Sequence, residues 1–393
     1  MKVVVAHNRY RSAQPSGENT IVEQELAQLA DAGVRVLPFL RDSDDIDAMP
    51  AARKALLPVS PLYNASAQRE LGALLAEHRP DVLHLHNPYP LLSPAVVRTA
   101  HRHGVPVVQT VHNYRQVCSP GLYFRDGHVC TDCKGRAIGW PGVRHSCYRG
   151  SRAQSAVMAV TLAAHRPTWR SVDRYIALTD AIAEHLRDYG IPPERIVVKP
   201  NSVPDPGPPD PPGEGFLFYG RLTPEKGLGL LLDAWRRHPD GSLGRLRVAG
   251  DGQQRGLAEA AAAERADVEY LGPLDRDGVR AALRSAAVVV AASTWHDVLP
   301  TVGLEALAAG RPVLGTAMGG TPYLVGEAGW VVPAEAGALA AALPAARDGA
   351  AALAPVARAR YESTFHPDVV VRRLIQVYEE TRATVSEGAK PGR

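Results

Sequence analysis

The chain has 393 residues, 45% hydrophobic and 22% charged, with a formal net charge of +3. That length exceeds one ordinary core and fits two domains, and the composition is that of a soluble globular protein. A charge this small argues against bulk nucleic-acid binding, and basic residues matter only where they cluster. Met1-Lys2 leads into Val3-Val4-Val5, too short for a signal-peptide core, and no run reaches the roughly 18 apolar residues of a membrane span. The expectation is a cytoplasmic protein, peripheral at most to the inner face of the membrane.

Short β-branched runs alternate with longer Ala/Leu/Arg segments. Val3–Ala6, Val34–Phe39, Val82–His86, Val105–Val111, Arg174–Leu178 and Ile196–Lys199 read as buried strands, with helical patterns over Glu18–Ala32, Ala67–Glu77, Pro94–His103 and Asp180–Tyr189. Such alternation predicts a parallel sheet covered on both faces. The proline-rich stretch from Pro200 to Gly213 can join neither sheet nor helix and reads as a semi-rigid linker. The alternation then restarts with Phe216–Tyr219, Leu246–Ala249, Val268–Leu271, Ala287–Ala292 and Pro312–Gly315. A last periodic segment, His366–Ala383, carries Val370, Leu374, Val377 and Tyr378 on one side. The tail after Thr384 is polar and reads as frayed. The predicted class is α/β, with two Rossmann-like doubly wound domains facing a cleft. Their expected spans are 1–203, with an insertion at 115–150, and 204–365. Residues 366–393 are expected to return to the first domain. Ligands of open parallel sheets bind at the carboxyl ends of the strands, so chemistry is expected just after strands.

Three strand ends carry it. After the first strand, His7-Asn8-Arg9-Tyr10 runs through Ser16-Gly17-Glu18-Asn19 into a helix. A small-residue turn there presents backbone N–H groups to a phosphate, or is an ordinary loop capped by Ser16. It has no G-x-G-x-x-G, which counts against a dinucleotide-dependent dehydrogenase. After Phe216–Tyr219, Gly220-Arg221-Leu222-Thr223-Pro224-Glu225-Lys226-Gly227 places a planar guanidinium and a point charge in one turn, a pairing that suits a diphosphate or is a solvated basic loop. After Ala287–Ala292, the segment Ser293–Ala306 holds Asp297 and, in an otherwise apolar helix start, Glu305. Glu305 either caps that helix or grips hydroxyls.

Taken in order, Gly220–Gly227, Asp297 with Glu305 eight residues on, and Ala309-Gly310-Arg311-Pro312-Val313 resemble the retaining GT-B glycosyltransferases of family 4. Gly250-Asp251-Gly252, Gly319-Gly320-Thr321-Pro322 and Thr110-Val111-His112-Asn113-Tyr114-Arg115 add to the likeness, which runs to about residue 333. The resemblance implies that Arg221 and Lys226 bind a donor diphosphate and Glu305 the ribose hydroxyls. It implies that Asp297 and the backbone around Leu299, Pro300 and Thr301 contact the transferred sugar. Gly17 would line the junction of diphosphate and acceptor, with His112 beside the sugar and Ser16, Asn113 and Arg144 on the acceptor side. Transfer would retain anomeric configuration without a metal or other catalytic cofactor. Two departures stand out: Asp297 replaces the family's usual Glu, and Ser16-Gly17 its usual paired glycines. The same division of roles predicts that Asp297→Ala leaves nucleoside-diphosphate affinity almost unchanged. A GT-A enzyme would instead need an Asp-x-Asp metal site. Asp42-Ser43-Asp44-Asp45 matches that loosely and reads as a solvated acidic turn.

The insertion holds Cys118, Cys130, Cys133 and Cys147, whose central C-x-x-C suits a closed structural zinc site; reduced buried thiols, or disulfides in an exported chain, are the other readings. Arg136, Arg144, His145, Arg149 and Arg152 cluster beside them. They suit a phosphate-bearing or lipid-linked acceptor, an anionic membrane, or plain solvation. The expected activity is sugar transfer from a nucleotide-diphosphate sugar to a glycan, lipid-linked or small-molecule acceptor. Alternatives are a GT-B sugar phosphorylase, a nucleotide-sugar epimerase, or a non-catalytic nucleotide-sugar-binding protein.

Overall fold

The computed structural model describes residues 1–13 and 16–388, with side chains through residue 385. The first half contains β1 (Lys2–Arg9), β2 (Arg35–Asp42), β3 (Val82–Leu85), β4 (Val107–Val111), a hairpin of β5 (Phe124–Arg125) and β6 (His128–Val129), β7 (Arg174–Ala177) and β8 (Ile196–Val198). The second contains β9 (Phe216–Tyr219), β10 (Leu246–Ala249), β11 (Val268–Gly272), β12 (Val288–Ala291), β13 (Val313–Thr316) and β14 (Gly329–Val332). The sheet orders are β2-β1-β3-β4-β7-β8 and β11-β10-β9-β12-β13-β14. Every pairing within these two sheets is parallel.

The chain separates into two compact units. One comprises Met1–Tyr123, Thr131–Lys199 and the chain from Val370 onward; the other comprises Phe124–Cys130 and Pro200–Val369. The boundary thus falls just after Lys199, four residues before the position read from sequence. Lys199 is 1% exposed and its ammonium sits on Glu25 in the first unit, which fixes the chain up to that point.

In the first unit, Val3, Val4, Val5 and Ala6 are all fully buried, so both faces of β1 are covered, as a parallel sheet requires. Val3 and Val5 share a core with Val22 and Leu29 of the helix Gly17–Asp31 and with Val371, Leu374, Val377 and Tyr378 of the final helix, Pro367–Gly388. That helix is further tied by the Tyr378 hydroxyl at 2.7 Å from His84 Nδ1 and by Arg382 on Asp81. β1 runs beyond the apolar run read from sequence because His7 and Asn8, though polar, are buried at its end and hydrogen-bonded there. The expected frayed tail lies, from residue 389, outside the described residues.

The second unit packs Phe216, Trp235, Leu246, Val288 and Leu314 into one core. Its edge strand β14 is absent from the sequence reading. It is only four residues long and opens on glycine, though Trp330, Val331 and Val332 all favour strands and the segment pairs in parallel with β13. The proline-rich stretch does not hang free. Arg311, 1% exposed, donates to the carbonyls of Leu283, Asp210, Pro211 and Arg284 at 2.9–3.2 Å. Asp205 pairs with Arg358, and Gly213 N–H donates to Ala286 O. The G-R-P motif is therefore a staple that fastens the stretch onto the second unit. Because Arg311→Met would strand those buried carbonyls, it should lower unfolding free energy by about 3 kcal/mol. Urea denaturation checks this, and a wild-type midpoint would refute the staple.

Candidate functional site

A parallel sheet opens a crevice where its strand order reverses. In the first unit the reversal lies between β1 and β3, and in the second between β9 and β12. The residues with chemistry cluster behind those strands.

In the first unit the loop after β1 is organised by Asn19. Its Oδ1 accepts from Tyr10 N–H and lies 3.1 Å from His7 Nε2, while its Nδ2 donates to Tyr10 O. Asn87 N–H lies 3.4 Å from His7 Nδ1, so His7 is held at both nitrogens. Burial drives its pKa down to about 3, leaving the ring neutral. Gly17 opens the helix and Ser16 stands at its N-cap without a side-chain cap bond, so the helix end keeps donors for another acceptor. Gln14 and Pro15 of this loop lie outside the described residues.

Behind β3 and β4 is a buried polar group. Glu25, in the helix Gly17–Asp31, brings Oε1 to 3.1 Å from His84 Nδ1 and 3.2 Å from His86 Nε2, with Lys199 Nζ at 3.3 Å from Oε2. His86 Nδ1 lies 2.9 Å from His112 Nε2, and His84 Nε2 lies 2.8 Å from Thr110 Oγ1. Burial raises the Glu25 pKa, but Lys199 and the two imidazoles overcome it and hold the carboxyl well below its usual range. Burial pushes His86 down to about 4 and His112 well below the usual imidazole value. Ligand atoms of Glu25, His84 and His86 all lie within 4.8 Å of one another, a spacing a metal could use. The Lys199 ammonium already supplies the countercharge, so the group reads as a buried cluster of close polar contacts around one ion pair.

Beside it, Glu18, His86, Tyr89, Gln109, His112 and Arg115 line a small cavity. Among the described residues, Gln109 Oε1, Arg115 Nε and Gln116 Oε1 are buried there without a hydrogen-bond partner. Tyr10 OH donates to Glu18 Oε2 at 3.0 Å. Burial pushes the Glu18 carboxyl up to about 7, against the opposing pull of Arg115, Tyr10 and Asn113.

In the second unit Lys226 Nζ meets Asp297 Oδ2 at 2.5 Å and lies 5.5 Å from the Trp295 ring centroid. Arg221 is more than half exposed, 3.7 Å from Glu225. Glu225 is buried; its carboxylate accepts from Thr223 Oγ1 and its carbonyl from Thr294 N–H, which joins the turns after β9 and β12. Gly227 has φ +79°, and a Cβ there would lie 1.8 Å from Ala292 O, so only glycine lets those turns meet. Gly320 N–H donates to Asp297 O at 2.6 Å, and a Cβ on Gly319 would fall 2.1 Å from that same oxygen. The Tyr219 hydroxyl lies 2.7 Å from Glu305 Oε2, and burial raises the Glu305 pKa. Pro300 precedes the helix Thr301–Ala308 and has no N–H, so backbone donation from this segment is left to Leu299 and Thr301.

Two family models match in succession: a glycosyl transferase 4-like domain over residues 16–202 and glycosyl transferases group 1 over 213–346. The chain belongs to glycosyltransferase family 4. It is 32% identical over 194 residues to a phosphatidyl-myo-inositol mannosyltransferase of Mycobacterium tuberculosis, over 45% of this chain and 49% of the relative. Thus it spans about half the length of that curated relative. It is 28% identical to a D-inositol 3-phosphate glycosyltransferase of Kineococcus radiotolerans, over 77% of this chain and 73% of the relative. Its fold is similar to that of a sucrose-phosphate synthase from Thermosynechococcus elongatus (TM-score 0.68, 19% identity, 98% and 100% of the two chains). It is also similar to that of the Anabaena protein HepE in complex with UDP (TM-score 0.64, 17% identity, 97% and 100%). These neighbours share the two parallel-sheet α/β domains of the GT-B fold.

Against that family pattern, the structure places Lys226 with Asp297 and Glu305 with Tyr219, while Arg144 stands exposed at the end of the helix Trp140–Arg144 and does not line the cavity. Arg136, His145, Arg149 and Arg152 are exposed as well. No helix among the described residues is long and apolar enough to cross a membrane. Asp42 and Asp44 accept from the backbone N–H groups of Asp44 and Ser12, a turn-forming role. The cysteines are half-buried and none is disulfide-bonded among the described residues. Sequence reasoning missed Glu18, Glu25, His84 and His86. The signal available was two histidines two apart in an otherwise apolar strand, and a Glu one turn from Ile21 and Leu29 on a buried helix face.

Between the ordinary carboxyl range and about 7, folded Glu18 holds a proton that the unfolded chain releases. Its contribution to stability is therefore present at low pH and lost as pH rises through 7. Wild type should lose more stability than Glu18→Gln between about pH 5 and about pH 8. Denaturant midpoints at both pH values test this, and equal losses would contradict it.

Proposed function

We propose that the protein transfers a sugar from a nucleotide-diphosphate sugar to an acceptor hydroxyl, with retention of anomeric configuration. The observation that carries this reading is the set Lys226, Asp297 and Glu305 at the carboxyl ends of β9 and β12, beside the switch point of a sheet matched by the glycosyl transferases group 1 model. Arg221 and Lys226 take the diphosphate. Arg221 is exposed and reaches as a planar fork; Lys226 is preset by Asp297 and Trp295. Glu305, oriented by Tyr219, accepts from the ribose hydroxyls. Asp297 and the Leu299 and Thr301 N–H groups face the sugar. In the first unit Gly17 leaves helix-end donors open at the diphosphate–acceptor junction, and His112 and the unpartnered Gln109, Arg115 and Gln116 atoms suit hydroxyls.

Departure of the diphosphate is helped by cations already in place, an electrostatic contribution that needs neither a protein nucleophile nor a metal in this reading. The acceptor attacks from the face the leaving group vacates and passes its proton to the departing oxygen. A structural zinc on Cys118, Cys130, Cys133 and Cys147 completes the proposal, tested by metal analysis of protein purified without chelator: near-stoichiometric zinc supports it, and none refutes it.

The Lys226–Asp297 pair revises one expectation. Asp297 is the counter-ion of Lys226, so the sugar and diphosphate halves are not independent. Lys226→Ala should cost on the order of 2–4 kcal/mol in kcat/KM for donor turnover. Asp297→Asn should also lower kcat/KM but strengthen binding of free nucleoside diphosphate, because the ammonium loses its internal partner. Steady-state kinetics with calorimetric titration separate the two effects. Near-wild-type turnover in Lys226→Ala would sink the assignment, and equal loss of turnover and diphosphate affinity in Asp297→Asn would sink the coupling.

A further inference from the structure

The family likeness reaches His112 but says nothing of what stands behind its ring. Three ionisable side chains from three elements form a line there. Glu25 comes from the helix after β1, His86 from the end of β3 and His112 from the end of β4. Glu25 Oε1 lies 3.1 Å from His84 Nδ1 and 3.2 Å from His86 Nε2, and His86 Nε2 has no other hydrogen-bond partner among the described residues. His86 Nδ1 lies 2.9 Å from His112 Nε2, and those two rings are stacked at 5.2 Å. Glu25 and His86 are buried, and neither belongs to the set assigned to the donor.

We propose that Glu25 and His86 are positioning residues that fix His112 in the Nε2–H tautomer, so that its Nδ1 is a bare acceptor for a hydroxyl of the bound sugar. This rests on the sugar-transfer reading for the identity of the hydroxyl, though not for the tautomer itself. Counting hydrogens along the line gives the order. Glu25 is paired with Lys199 and ionised, so it has acceptor lone pairs only. The His86 nitrogen facing it must therefore carry the hydrogen. A neutral imidazole has one N–H, which leaves His86 Nδ1 as a lone pair. The 2.9 Å contact to His112 then needs its hydrogen from His112 Nε2. His112, kept neutral by burial, is left with a bare Nδ1. The reverse order would set the His86 Nε2 lone pair against the Glu25 carboxylate, two acceptors 3.2 Å apart in a buried site. The other groups around His86 fit the same order. The His84 ring, 4.2 Å away, is anchored at Thr110 and Tyr378 and also turns Nδ1 to Glu25 Oε1 at 3.1 Å, where an ionised carboxylate oxygen has lone pairs for both rings; His7 stands edge-on at 6.1 Å with both nitrogens engaged elsewhere.

This makes the relay a device for polarity rather than for proton transfer. A second-row carboxylate commonly sets which nitrogen of a histidine faces a ligand. Here a second imidazole extends that control by one ring, and Lys199 keeps the carboxylate charged.

The test is long-range proton–nitrogen correlation NMR of the full chain labelled with nitrogen-15 in histidine, with His112→Gln used to assign the ring. Wild type near neutral pH should show His112 with a protonated Nε2 and a bare Nδ1. His86→Leu, which removes the partner without adding a charge, should convert this single tautomer to a mixture. Should that variant fail to fold, Glu25→Gln is read in its place, and should likewise lose the single tautomer. A protonated Nδ1 in wild type, or an unchanged tautomer in the folded variant, overturns the relay. Addition of UDP-glucose and then GDP-mannose to wild type reads the function separately. Movement of the His112 nitrogen signals with either donor supports a bound hydroxyl at Nδ1, and no movement with both overturns that half while the tautomer result stands on its own.

Discussion

In a parallel sheet every strand ends at the same edge, and the two units of this chain depend on that constraint. Because β1 and β3 sit side by side at one reversal of order, and β9 and β12 at the other, four strand ends far apart in sequence deliver their following residues to two small regions. His7, His86, Arg221, Lys226, Asp297 and Glu305 owe their positions to this. Strand ends in a doubly covered sheet are buried, so polar residues there must be mutually satisfied. The Glu25–Lys199 pair and the histidines grouped on it are the first unit's solution.

The second unit solves a different problem. In the proposed reading, a cation that receives a diphosphate can be neither permanently neutralised nor left to wander on a flexible stem. Lys226 is clamped by Asp297 and lies near Trp295, which fixes its position at the cost of a competing negative charge. Gly227 and Gly319 allow the backbone contacts that hold the two turns in that arrangement. The Asp297 carbonyl accepts from Gly320 N–H, which fixes the backbone that carries the carboxylate to the ammonium.

Most of the fold was legible because its signals are local. Phe216–Tyr219 is a continuous apolar run, Leu246–Ala249 is interrupted only by the half-buried Arg247, and the structure keeps both strands at the limits read from sequence. The turn glycines and cations after β9 were legible because their spacing in one loop is itself the signal. The relay was not, because its three members come from separate elements and each looks ordinary alone: a Glu in a helix, a His in a strand, a His in a turn. The Arg311 staple was hidden for the same reason. A proline-rich stretch carries no trace of the distant guanidinium that holds its carbonyls, and so it read as a linker.

The central claim is that the second unit's strand-end residues bind a nucleotide-diphosphate sugar. Isothermal titration of wild type and Glu305→Gln against UDP, GDP and their sugar conjugates tests it most directly. At least one conjugate should bind wild type with saturable, one-to-one stoichiometry, and Glu305→Gln should weaken it about tenfold, the loss of one charge-assisted hydrogen bond. Saturable binding with equal affinity in both proteins would contradict the claim, as would the absence of binding by every nucleotide and conjugate.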